Sequence, residues 1–219
     1  MNILLTLLKT EFLQLCRQKG SYLALLSFAL LTLLVFTIAA GPNVTFFPVL
    51  LWVIILFVSS LMVSQLFETD LKNGTLEQLY ELEINFEWVM LVKTCVHCLI
   101  VLTQASILLM LCAIMFHVKQ LVIFVVFASF LLGVPGMSAL AVLSSTIVLG
   151  MRSHQLVTSV LVFPLLIPPL IFACGAIVAA QQDVCPNNAL WLLFACSLFA
   201  VPVNLFAGAF ALKAAVQND

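Results

Sequence analysis

The chain has 219 residues, 64% of them apolar and only 8% charged, with a mean hydropathy of +1.27. Soluble domains hold roughly 45–50% apolar and 25% charged residues, so the composition excludes a water-soluble globular protein and points to an integral membrane protein. A helical span takes about 20 apolar residues, so this length accommodates about six spans with their loops and no large soluble domain, while a net charge of −1 offers no basic field for nucleic acid.

Residues 1–19 place Leu4, Leu7, Leu8, Phe12 and Leu15 at helical spacing among Lys9, Glu11, Arg17 and Lys19, a pattern that predicts an interfacial amphipathic helix. The apolar run behind it, about 20 residues, exceeds the ~7–15 of a signal-peptide core and is expected to be a retained first span, Ser21–Ala40, stopped by Gly41-Pro42-Asn43. Further spans are expected at about 46–67, 92–116, 121–149, 155–172 and 189–212. The predicted fold is therefore a single all-α domain of six transmembrane helices, with a polar segment at 68–87 between the second and third.

Orientation follows from Lys and Arg alone. With six spans both termini share one side, which receives Lys9, Arg17, Lys19, Lys72, Lys93, Arg152 and Lys213, against only Lys119 on the other. Both termini and the 68–87 segment are expected to be cytoplasmic. The seven cysteines are an odd count and lie mostly within apolar runs, so they are read as small buried hydrophobes without a disulfide framework, with Cys185, in an outer loop, a free thiol.

The 68–87 segment carries Glu68, Asp70, Glu77, Glu81, Glu83 and Glu87, six of the nine acidic residues. Asn73-Gly74 signals a turn, and Thr75 with Gln78 three residues on fits a capping box, so a short helix is predicted to begin near Leu76. Its Leu76, Leu79 and Tyr80 share one face, with Glu77, Glu81 and Glu87 around it. A helix resting on the lipid surface and a docking helix for a soluble partner both fit that pattern.

The motifs FETDLKNGTLEQL, LLGVPGMSALAVLSSTIVLGMRS and LVFPLLIPPLIFACGA, in this order along a chain of this length, resemble the CcmB family, the ABC-2-type exporter permease subunits of the cytochrome c maturation system. The resemblance implies a bacterial inner-membrane subunit that works with the ATPase CcmA, with CcmC and CcmD, and with the haem chaperone CcmE, whose haem-loaded form the complex releases. It also implies that Asp70, Gly74, Thr75, Leu76, Glu77, Gln78 and Leu79 form the segment that meets the ATPase. The residues add that no G-x-x-x-x-G-K-[ST] phosphate loop is present. This subunit is thus expected to be non-catalytic and to bind no cofactor, with ATP and Mg held by the partner, haem handled by the complex, and a second copy of the chain completing the assembly.

Gly133, Pro135 and Gly136 in the fourth span, and Pro164, Pro168 and Pro169 in the fifth, are expected to break or kink their helices, either for packing or as a gate. The fourth span is read as broken there, and residues 174–182 as a short re-entrant helix. Cys95-Val96-His97-Cys98 lacks the C-x-x-C-H order of covalent haem attachment and has no second ligand pair at zinc spacing, so it is read as buried thiols beside a hydrogen-bonded histidine, with no metal site. His117, at the outer end of the third span, is the better-placed haem ligand. Two other readings share this composition: a permease moving lipid, polysaccharide or drug, and an ATP-independent haem-handling protein using His97, His117 and the cysteines. Copurifying subunits separate the first, and haem absorbance of the isolated chain the second.

Overall fold

The computed structural model describes Glu11 and residues 19–40, 46–63, 66–67, 74–82, 84–116, 118–149 and 154–217. Among them there are helices and no strands: α1 Lys19–Ala40, α2 Phe47–Val63, α3 Thr75–Glu81, α4 Phe86–Phe116, α5 Gln120–Ile147, α6 His154–Gln181, α7 Asn187–Val203, a π-helical stretch Asn204–Gly208, and α8 Ala209–Gln217. Five helical stretches, within α1, α4, α5, α6 and the run from α7 into α8, are long and apolar enough to cross a membrane. The sixth apolar helix, α2, has 17 residues. Apolar helices of this length satisfy every backbone group internally, which is what a bilayer demands.

The bundle is built around α5, which packs against α2, α4, α6, α7 and α8. Its inner surface is lined by small residues, Ser129, Gly133, Gly136, Ser138, Ala139 and Ala141, all buried, so neighbouring helices approach closely. A Cβ on Gly133 would lie 2.6 Å from the buried Trp52 ring and 2.9 Å from Leu193, and one on Gly136 would lie 2.5 Å from the Ser197 backbone. Trp52 in turn donates its indole N–H to Ser129 Oγ at 2.9 Å and packs on Phe130. By contrast α1 touches mainly α2. It buries Leu25, Ala29 and Leu33 on one stripe and leaves Leu23, Leu31 and Val35 outside.

Two sequence expectations are corrected here. The fourth span does not break at Gly133-Val134-Pro135-Gly136, because α5 runs through it as one helix. Its glycines are places where α2 and α7 press against the backbone, and Pro135 removes a single hydrogen bond beside which Ser197 Oγ donates to the Leu132 carbonyl at 2.5 Å. Residues 174–182 likewise form no separate re-entrant helix: α6 continues through Pro164, Pro168 and Pro169 to Gln181. The departure from α-helical winding lies elsewhere, in the π-helical stretch just after Pro202. There Asn204, fully buried, donates from Nδ2 to Thr94 Oγ1 of α4 at 2.8 Å.

Candidate functional site

Of the polar segment between α2 and α4, residues 74–82 are described and pack onto the bundle through Leu76 and Leu79. Gly74 adopts φ 64°, ψ 22°, a left-handed conformation that glycine takes at little cost, and this turns the chain into α3. Its carbonyl accepts from the Gln78 N–H at 3.2 Å. The capping box is not formed: Thr75 is the first helical residue, Gly74 occupies the cap, and no side chain bonds to the free N–H groups. A residue in the left-handed region directs the chain into the helix by its backbone, and Thr75, one position too late, cannot reach back as a cap.

The face of α3 that carries Leu76 and Leu79 turns inward. Leu76 is 2% exposed and joins the main core, and Leu79 packs partly buried against it. This corrects the reading of Leu76 as a partner-facing residue: the apolar face of the short helix is consumed by anchoring it to its own bundle. Facing outward are Gln78, Glu81 and Leu82, the last 69% exposed. Tyr80 stacks on Phe86, ring centroids 6.3 Å apart. Glu77 lies within α3, whereas Asp70 and His117 lie outside the described residues.

Where the 66–67 stretch leaves α2, a buried ion pair fixes its direction. Lys93 of α4, 2% exposed, places Nζ 2.8 Å from Glu11 Oε1, donates to the Leu66 carbonyl at 3.3 Å and lies 5.0 Å over the Phe67 ring. Glu11, Leu66 and the start of α4 therefore meet at one cation. Sequence reasoning missed this joint; its one signal is a lysine at the head of an apolar run, which needs a counter-charge when buried.

One turn further along α4, the buried His97 approaches Ser59 of α2. Cys95 points outward and Cys98 is half-buried, so the two thiols do not share the histidine's surroundings, and no group of three His, Cys, Asp or Glu side chains converges among the described residues. At the opposite end of the bundle Lys119 pairs with Asp183 at 3.0 Å in the open, and Cys185 is exposed and free.

Beside α3 a cleft of about 780 Å³ opens between the α3–α4 turn and α8, lined by Glu81, Asn85, Glu87, Phe206, Phe210 and Lys213 among others. The elements around it are ends of long helices, so it opens at a rim of the bundle.

An all-α bundle with five helical stretches long and apolar enough to cross a membrane, and a short helix anchored between its second and third apolar helices, defines a multi-pass membrane protein. The sequence matches the family described as CcmB protein over residues 2–215, and the chain belongs to that family. It is 29% identical to heme exporter protein B of Haemophilus influenzae over 220 aligned positions, covering 99% of this chain and all of that one. Identity to the protein of the same name from Pseudomonas aeruginosa is also 29%, over 98% of both chains, and to that of Escherichia coli K12 it is 31%, over 87% and 88%.

Proposed function

We propose that this chain is the permease subunit of an ABC-type complex for cytochrome c maturation, in which ATP hydrolysis by a separate ATPase of the CcmA kind drives rearrangement of the membrane part. Haem delivery, through CcmC, CcmD and release of the haem-loaded chaperone CcmE, is the outcome of that rearrangement. The complex sits in the bacterial inner membrane, with both termini cytoplasmic as the seven-to-one partition of basic residues favours, and it holds two copies of this chain.

The observation that carries this reading is α3. A helix of 7 residues is too short to be stable alone, yet it is pinned to the core by Leu76, with Leu79 packed against it. A docked partner pushing on it therefore pushes on the core of the bundle that holds Leu76. Its outward residues Gln78 and Leu82, which lie outside the cleft lining, form the contact, rather than Leu76. Copurification from native membranes tests this: the wild-type chain brings down an ATPase and haem-handling subunits, and Leu82→Asp loses the ATPase while inserting normally. Recovery of a lipid or polysaccharide export ATPase instead would overturn the assignment.

A further inference from the structure

The cleft beside α3 has walls of unequal character. On one side Phe206 and Phe210 of the last helical stretch are 70% and 77% exposed and face away from the bundle. On the other are the exposed carboxylates of Glu81 and Glu87 and the amide of Asn85, with the exposed ammonium of Lys213 near the end of α8. Among the described residues neither carboxylate is paired with Lys213 or with any other cation. At about 780 Å³ the cleft falls within the ~300–1,000 Å³ of small-molecule sites.

Its depth follows from helix length. α4 has 31 residues and is about 46 Å long at ~1.5 Å per residue. The run Asn187–Ala215 has 29, about 44 Å on the same rise. Both exceed a hydrocarbon core of ~30 Å, so the start of α4, with Glu87, and the end of α8, with Lys213, stand among the lipid headgroups. The exposed phenylalanines lie one and two turns deeper along the same helix, against the acyl chains.

We propose that this cleft is a binding site for a zwitterionic phospholipid with a primary ammonium headgroup, of the phosphatidylethanolamine class. Lys213 takes the phosphate, Glu81 and Glu87 take the ammonium, and the acyl chains run down Phe210 and Phe206. The charge pattern selects among lipids. An anionic headgroup meets two carboxylates against one lysine, and a choline headgroup has no N–H to donate to them, whereas an ammonium makes charge-assisted hydrogen bonds. A lipid held there lies against Tyr80 and Glu81 of α3.

The test is native mass spectrometry of the full chain, purified in detergent and titrated separately with palmitoyl-oleoyl phosphatidylethanolamine, phosphatidylcholine and phosphatidylglycerol. One ethanolamine lipid is expected to be retained about tenfold more tightly than either of the others, the worth of one good charge-assisted hydrogen bond. Lys213→Gln and the double variant Glu81→Gln/Glu87→Gln each remove that preference. All three side chains are exposed, so the helical content and thermal unfolding of both variants should match the parent. Equal retention of the three lipids, preference for phosphatidylglycerol or phosphatidylcholine, or an ethanolamine preference that survives in either well-folded variant would overturn the proposal.

Discussion

Gly136 and Gly20 are both helical glycines in an apolar chain, and the structure separates them. Nothing lies within 4 Å of a Cβ on Gly20, whereas one on Gly136 would strike the backbone of α7 at Ser197. Gly136→Ala is therefore expected to lower the stability of the bundle by about 1–3 kcal/mol through overpacking, and Gly20→Ala to leave it unchanged or slightly raised. Thermal unfolding in detergent compares them, and equal midpoints would refute the close packing of α5 on α7. The Lys93–Glu11 pair makes a second contrast. Removing only the carboxylate, as in Glu11→Ala, leaves a buried ammonium and should cost about 3–5 kcal/mol, while Glu11→Leu with Lys93→Met should be nearer neutral. A single variant no worse than the double would show that the ammonium reaches water.

Among the elements, α3 shows most sharply what a sequence reveals. The turn at Asn73-Gly74 and the short helix after it are legible because glycine and its polar neighbour have few other uses there. That Leu76 and Leu79 share a face is also legible, from helical spacing. What buries that face is not, since periodicity reports that a stripe is covered and says nothing of whether the cover belongs to the same chain. The pair Lys93–Glu11 joins residues 82 positions apart and leaves no local mark for the same reason. Proline marks missing donors rather than helix ends here: α5 runs on through Pro135, and α6 through Pro164, Pro168 and Pro169. For α3, Leu76→Asp is expected to destabilise the whole chain by about 3 kcal/mol or more, because it puts a carboxylate into the core. Leu82→Asp should spare the fold and lose only the ATPase. Limited proteolysis in detergent distinguishes them, and equal resistance would return Leu76 to the surface.

Across the molecule, the apolar runs and the order of helices were readable from length and hydropathy. Several extents differ: α4 begins at Phe86 rather than 92, α6 runs to Gln181 rather than 172, and Leu66 and Phe67 lie in a turn rather than within the second apolar helix. Sidedness rests on the basic residues. Cys185, exposed and free at the end of the bundle away from α3, should react with a membrane-impermeant maleimide in intact spheroplasts, while a cysteine placed at Gln78 should react only after lysis. Labelling of the Gln78 site in intact cells would reverse the orientation. The most direct test of the coupling role is site-specific photocrosslinking in native membranes, with the photoreactive residue at Leu82 and, as control, at Val184, both of them exposed. Crosslinking at Leu82 should capture a nucleotide-binding subunit, more strongly in one nucleotide state than in another, and at Val184 should capture none. Absence of an ATPase adduct at Leu82, or its appearance at Val184, would contradict the docking of an ATPase on α3.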